Sequence, residues 1–466
     1  MYGDVVEMLS VMTGKVDAWY LDGFAPAKNP EMWSDSVLKA IARLSAPGAR
    51  LATFSAAGSV RRGLEAEGFS VEKRQGFGSK RDCVSAVMTD ERRGGTQLAP
   101  DARVAVIGSG IAGGCMVRTL AARGMTVTLV DAFAEPGAGA SGNPAALIAP
   151  RLPRVRVPFG RIMASAYHYA IRFYDSLAAE GTPVWLGARG AFTMARNDDE
   201  EQRQVRSITA FGWPDGIMRR IEPDEATALL GTPVSKGGVW FAEAGTLSPP
   251  AITRHLAKDV ETLTANVGAL MRTEQGWQIL DQGGQVVGCY DAVVVAAGIG
   301  IMPLMRERHW PLVANRGQLA YLPPIKGAPV VPVSYGGYLS PLISFTDGSS
   351  GHVLGATYAG QDELPPDGWQ DLNADDTQGL INMLRDNMPS LDVAPPVGGR
   401  TALRATIRDY MPLAGCIEDG LYSLGALGSR GFLTAPLLAE LVADQMIDAP
   451  QPLEADLVKL LDPRRF

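Results

Sequence analysis

The stretch Arg103–Asn143, RVAVIGSGIAGGCMVRTLAARGMTVTLVDAFAEPGAGASGN, decides the fold of most of this chain. The small and β-branched run Val104–Ile107 reads as a buried strand. Gly108, Gly110 and Gly113 follow in G-x-G-x-x-G spacing, then a helical pattern, then a second strand, Val127–Val130, that ends at Asp131. The spacing has a physical reason. Gly108 permits the tight turn, Gly110 lets backbone approach a pyrophosphate, and Gly113 lets helix and strand pack closely. The free N–H groups of the helix N-terminus face the phosphates. An acid ~20 residues on suits ribose hydroxyls rather than a 2′-phosphate. Strand, turn, helix, strand and acid in that order predict a dinucleotide site.

The unit begins about a hundred residues into a chain of 466, long enough for two or three domains. A net charge of −7 excludes a global basic field, so any nucleic-acid contact must come from local patches. Four cysteines, Cys83, Cys115, Cys289 and Cys416, lack CxxC pairing, and four histidines lack ligand spacing. This argues against a disulfide framework and a metal site and suits a reducing cytoplasm. Asp4 and Glu7 stand where a signal peptide would be basic, and no apolar run approaches membrane-spanning length.

Residues 1–89 read as part of an α/β domain, with strands at Val16–Leu21, Leu51–Ser55, Phe69–Lys73 and Cys83–Met88 and a helix at Val60–Glu67. Residues 90–102 read as a linker. Beyond it, Ala164–Ala179 reads as a helix, Asp291–Gly298 (DAVVVAAG) as a buried strand, and Leu421–Leu424 as a strand before a glycine turn and a long apolar helix.

A fingerprint alone does not separate nicotinamide from flavin. Three further segments favour FAD. Ala138–Asn143, with Ala140, Ser141, Gly142 and Asn143, forms a second glycine-rich loop after the acid strand. Ala297 and Gly298 end the strand of residues 291–298 in small residues that let a loop close over the cofactor. Gly428, Gly431 and Phe432 open the last helix, whose N-terminal dipole would stabilise charge on a reduced flavin.

Together these segments resemble the glutathione-reductase-like FAD fold of the D-amino-acid oxidase superfamily. The resemblance implies an FAD-binding domain (about residues 103–165, 250–300 and 400–450) interrupted by a substrate-binding antiparallel sheet domain (about 166–249 and 301–399). It also implies a carboxylate-gripping arginine in GRTALRATIRDYMPLAG, Gly399–Gly415, which falls on Arg404; a planar guanidinium takes a carboxylate bidentately. Ala405 follows where that superfamily often has proline. Arg400 and Arg408 are its neighbours in sequence, with Asp409 as an orienting acid.

The front segment narrows the family. In VDAWYLDGFAPAKNPEMWS, residues 16–34, a strand ends at Asp22 and a loop carries Phe24. In class I methyltransferases the loop after the fourth strand holds an acidic or polar group and an aromatic beside donor and acceptor. RQGFGSKRDCVSAVM would be the last hairpin of that fold. Joined to the flavin segments, and with ANRGQLAYLP around Arg316–Gly317–Gln318, GATY at Gly355–Tyr358 and LGSRGF, the chain resembles the MnmC family of bifunctional tRNA-modifying proteins.

The fold expected is therefore α/β and α+β: a partial Rossmann-like methyltransferase sheet followed by the FAD-dependent oxidase of residues 103–466. The resemblance implies the cofactors FAD and S-adenosylmethionine and the wobble uridine of tRNA as substrate. It implies oxidative removal of a carboxymethyl group, then methylation of the amine. The fifteen residues before Val16 hold no donor-binding glycine loop, so this chain by itself is not expected to methylate. Arg151, Arg154, Arg156 and Arg161, with Arg219 and Arg220, are candidate phosphate contacts. Two alternatives stand beside this reading: an oxidase of free glycine or sarcosine, which leaves the front segment unexplained, and a tRNA-binding relic with a structural flavin.

Overall fold

The computed structural model describes residues 4–78, 80–90, 98–360 and 368–466, so residues 91–97 of the expected linker lie outside it. The chain divides into two compact units: Met1–Ala99 with Glu440–Leu460, and Pro100–Ala439 with Leu461–Phe466.

The first unit is a four-stranded sheet in the order Val16–Tyr20, Ser45–Thr53, Asp82–Met88, Phe69–Gln75. The first pair is parallel and the next two pairs are antiparallel. The helix Asp35–Leu44 carries Val37, Leu38, Ile41 and Leu44 on one stripe, at the i, i+1, i+4, i+7 spacing that buries one face. They join Leu51, Leu64, Phe69, Val84 and Met88 in one core. Backbone bonds from Lys15 N to Asp448 O (2.6 Å) and from Gln451 N to Thr13 O (3.0 Å) tie Glu440–Leu460 into this unit. Sequence reading had placed residues up to 450 in the FAD-binding part.

The second unit has a six-stranded sheet in the order Glu261–Thr264, Thr126–Asp131, Arg103–Ile107, Ala292–Val295, Leu421–Gly425, Leu413–Glu418. Its first five strands are parallel and the last is antiparallel. Val104, Val106, Leu129, Val293 and Val294 are fully buried, as a parallel sheet covered on both faces requires. A three-stranded meander, Val267–Tyr290, follows the strand Glu261–Thr264.

A separate, mostly antiparallel sheet of nine strands includes Leu312–Leu322 and, beside it, Gly398–Ile407. These two pair antiparallel from Leu312↔Ile407 to Tyr321↔Gly398. This corrects a boundary. The strand bearing Arg404 belongs to the large sheet, not to the FAD-binding part, because its hydrogen-bond partner lies some eighty residues earlier. The helix expected from Ala164 runs Pro158–Ala179, with Pro158 in its first turn, where proline lacks no needed N–H.

Candidate active site

The glycine turn is built as the spacing requires. Gly108 sits at φ 106°, and a Cβ there would meet Ala296 O at 2.5 Å, so only glycine fits between the two strand ends. A Cβ on Gly113 would overlap Gly108 O. Ser141 from the second glycine loop reaches the turn, and its Oγ accepts from Ile111 N at 3.0 Å. A Cβ on Gly110 would stand 3.0 Å from the same oxygen. The loop thus packs against the helix N-terminus expected to face a pyrophosphate.

Asp131 closes the strand Thr126–Asp131, and its Oδ2 accepts from Ser109 N (2.6 Å) and Ser109 Oγ (2.8 Å), while Oδ1 accepts from Phe133 N (2.9 Å). A carboxylate has about four acceptor positions, so one remains for a hydroxyl guest. Ala297 and Gly298 lie beyond Val295 at the same sheet end, next to the Gly108 turn. At the C-terminal turn Gly428 takes φ 58°, and a Cβ on Gly431 would meet Ile111 Cγ2 at 3.2 Å. The N-termini of the helices Ile111–Ala121 and Gly431–Met446 therefore converge. The Phe432 carbonyl accepts from Tyr174 Oη at 2.6 Å.

This arrangement fits FAD. Two helix N-termini, a turn too tight for any Cβ and a remaining carboxylate lone pair are the elements a dinucleotide requires.

Arg400 was a secondary candidate in the sequence. It is the brace of the second glycine loop: Nη1 donates to Asn143 Oδ1 (3.0 Å) and Nη2 donates to Ala138 O (2.9 Å) and Gly139 O (2.6 Å). Arg404 lies four residues on, on the same face of the strand and about 13 Å along it. Its contacts are of another kind. Its one protein hydrogen bond is a long one, Nη1 to Thr357 O at 3.5 Å, and no carboxylate pairs with it among the described residues. Burial pushes its pKa below the usual arginine value, while the nearby Tyr338 and Tyr358 phenols act the other way. Burial raises the Tyr338 phenol well above its ordinary range, so it stays a hydrogen-bond donor. Thr406, two residues on and on the same face, lies 3.1 Å from where a Gly428 Cβ would stand. The arginine is thus placed beside the C-terminal glycine turn.

The Arg316–Gly317–Gln318 motif explains itself in this setting. A Cβ on Gly317 would overlap the Arg404 guanidinium. Arg316, 5% exposed, donates to Asp376 Oδ2 (2.7 Å), Gln318 Oε1 (2.8 Å), Trp369 O (2.8 Å) and Asp371 O (2.6 Å). Gln318 Nε2 donates to Asn373 O (2.8 Å) and Thr377 Oγ1 (2.8 Å), pinning the helix Ala374–Asn387 to the strand. Sequence reading quoted the motif without assigning these roles, and it left Tyr338 unmentioned.

Arg151, Arg154 and Arg156 are exposed. Burial and the Arg151 charge lower the pKa of Arg430, which lies over the Phe159 ring at 5.5 Å. Arg219 and Arg220 are ion-paired instead, to Glu225 (2.6 Å) and to Glu201 (2.5 Å) and Glu222 (2.9 Å). Neutralised in this way, that pair is a poor phosphate contact. Arg408 is exposed, and Asp409 holds Arg465 (2.9 Å) rather than Arg408. In the first unit Asp22 and Phe24 are exposed in a loop fixed by Trp33, whose Nε1 donates to Phe24 O at 2.7 Å. Among the described residues no group of three His, Cys, Asp or Glu side chains is arranged to hold a metal, and no helix is long and apolar enough to cross a membrane.

Residues 103–445 match the FAD dependent oxidoreductase family, and residues 1–89 match a family of S-adenosyl-L-methionine-dependent methyltransferases. A tRNA 5-methylaminomethyl-2-thiouridine biosynthesis bifunctional protein, MnmC, of Magnetococcus marinus is 36% identical over all of this chain and 76% of its own length. The chain belongs to the MnmC family. The MnmC protein of a Caulobacter species is likewise 36% identical over 99% of this chain and 73% of its own length. The fold of this chain is also similar to that of a glycine oxidase from Bacillus cereus (20% identity, 74% of this chain and 97% of the oxidase, TM-score 0.61). An iminodiacetate oxidase from Chelativorans shares it too (21% identity, 75% and 97% covered, TM-score 0.61).

Proposed function

We propose that this chain acts in the cytoplasm on the wobble uridine of tRNA. It removes the carboxymethyl group of 5-carboxymethylaminomethyl-(2-thio)uridine and leaves the 5-aminomethyl form. The observation that carries the reading is Arg404: a largely desolvated guanidinium without a carboxylate partner among the described residues, set beside the C-terminal glycine turn. An arginine stays charged at physiological pH, so such a site favours an anionic guest. The substrate side chain is a glycine-like secondary amine and supplies a carboxylate.

Arg404 grips that carboxylate bidentately and fixes which carbon is presented for oxidation. The Tyr338 and Tyr358 side chains lie near the guanidinium, and burial keeps the Tyr338 phenol a donor. The substrate amine reacts as the free base, because its lone pair assists loss of hydride from the adjoining methylene. Bound FAD supplies the two-electron acceptor. The resulting imine takes up water and breaks into glyoxylate and the primary amine. FAD would be held by Gly108, Gly110, Gly113, Asp131, the loop Ala140–Asn143, Ala297, Gly298, Gly428, Gly431 and Phe432.

The competing reading, an oxidase of free glycine or sarcosine, accounts for Arg404 but not for the methyltransferase-like unit. Anaerobic bleaching of the flavin separates the two. Hypomodified tRNA is expected to bleach it and free glycine is not; the reverse result removes the tRNA reading.

A further inference from the structure

A second cation stands with Arg404 beside the C-terminal glycine turn. Arg430 is the last residue of the turn Gly428–Arg430, which opens the helix Gly431–Met446. It is half-buried, and no carboxylate pairs with it among the described residues. Its guanidinium lies over the Phe159 ring at 5.5 Å. Its backbone is fixed as well: Arg430 N donates to Leu427 O (3.2 Å), and Thr434 Oγ1 donates to Arg430 O (3.0 Å).

The two arginines share one neighbourhood. The Tyr358 phenol, 52% exposed, acts electrostatically on both. Thr406 Cγ2 lies 3.1 Å from where a Gly428 Cβ would stand. Arg404 is two residues before Thr406, about 7 Å along a strand, and Arg430 is two residues past Gly428, about 4 Å of 3-10 rise. The two residues are therefore on the order of 10 Å apart.

The charge of Arg151 also acts on Arg430. Arg151 is exposed and opens the segment 151–157, which joins the strand Ala146–Ile148 to the helix Pro158–Ala179. That segment is held in place. Ser207 Oγ donates to Leu152 O (3.0 Å), Pro153 packs on Gly160, and Arg156 lies over the Phe211 ring at 5.9 Å. Like charges kept together by packing, with one of them half-buried, are unfavourable unless an anion joins them. Arg219 and Arg220 show the usual remedy, their glutamates. Arg430 and Arg151 have no such acid among the described residues.

Resting on the reading of a modified uridine as substrate, we propose that Arg430 and Arg151 form a second anion subsite, which takes a phosphate of the reacting nucleotide while Arg404 holds its carboxylate. Two guanidinium forks around one position suit the several oxygens of a phosphate. The subsite sets specificity. Free glycine or sarcosine carries one anion and engages Arg404 alone. A nucleotide engages both positions, which fixes its orientation at two ends.

The test is anaerobic flavin reduction in the FAD-loaded 466-residue protein by 5-carboxymethylaminomethyluridine as the nucleoside, the 5′-monophosphate and the 3′-monophosphate. The parent is expected to show a kcat/KM roughly tenfold or more higher for one monophosphate than for the nucleoside, the gain lying in KM. The preferred monophosphate shows which phosphate occupies the subsite. Arg430→Gln is expected to remove that ratio, Arg151→Gln to lower it in part, and Arg430→Lys to restore part of what Arg430→Gln loses. Equal kcat/KM for the nucleoside and both monophosphates in the parent would overturn the inference and leave the substrate reading standing. No reduction by any of the three, nor by hypomodified tRNA, would remove the substrate reading itself. A ratio left intact by Arg430→Gln, with a shifted flavin absorbance, would place the guanidinium on the flavin and also overturn the inference. Should Arg430→Gln purify without flavin, the exposed Arg151→Gln carries the test alone.

Discussion

Replacing Arg404 by alanine separates a substrate clamp from a structural arginine, because the two roles predict opposite effects on activity and stability. If Arg404 makes two charge-assisted hydrogen bonds to a carboxylate, their loss at ~1.5–3 kcal/mol each removes ~3–6 kcal/mol of transition-state binding. That corresponds to roughly two to four powers of ten in kcat/KM. Arg404→Lys keeps a point charge without the fork and should fall between. Stability should behave differently. Among the described residues the guanidinium has one weak bond at 3.5 Å and no carboxylate partner, and burial disfavours it, so its removal is expected to leave thermal unfolding of the FAD-loaded protein almost unchanged. Arg316→Ala is the control. It leaves Asp376 and Gln318 without a donor that now sits 6% exposed in its side chain, and should cost about 3 kcal/mol, the low end for a broken buried pair. The assay is anaerobic flavin reduction by hypomodified tRNA together with a thermal melt. An Arg404→Ala enzyme within threefold of the parent in kcat/KM, or one that melts as early as Arg316→Ala, would refute the clamp.

Two further substitutions follow from close contacts. Gly317→Ala places a Cβ on the Arg404 guanidinium and is expected to raise KM tenfold or more while the flavin absorbance at purification stays normal; an unchanged KM would show the guanidinium has room to shift. Arg400→Ala frees the loop Ala138–Asn143 from three hydrogen bonds. It is expected to weaken FAD binding at least tenfold, read by dialysis of the flavin, with little change in tRNA affinity.

The parts legible in the sequence are those whose chemistry is local. The turn Gly108–Gly113, the strands around it and Asp131 are specified within thirty residues, because strand, turn and helix N-terminus are consecutive. Arg404 emerged only through resemblance, since nothing in its own neighbourhood says that no carboxylate pairs with it among the described residues. The role of Arg400 was invisible, because the loop it braces lies more than 250 residues earlier. The same distance problem misassigned its strand: Gly398–Ile407 reads locally like any strand, and only the ladder to Leu312–Leu322 places it in the large sheet. The helix expected from Ala164 begins earlier, at Pro158. Its Gly160 packs against Pro153 and Phe211, at 2.7 and 2.9 Å from where its Cβ would be.

The account's central claim is the reaction on the wobble nucleoside, and mass spectrometry of nucleosides tests it most directly. tRNA from cells lacking this activity, incubated with the FAD-loaded protein and oxygen, is expected to lose 5-carboxymethylaminomethyl-(2-thio)uridine and gain an equal amount of the 5-aminomethyl form, with glyoxylate released in step. Unchanged wobble nucleosides alongside full turnover of free glycine or sarcosine would contradict it.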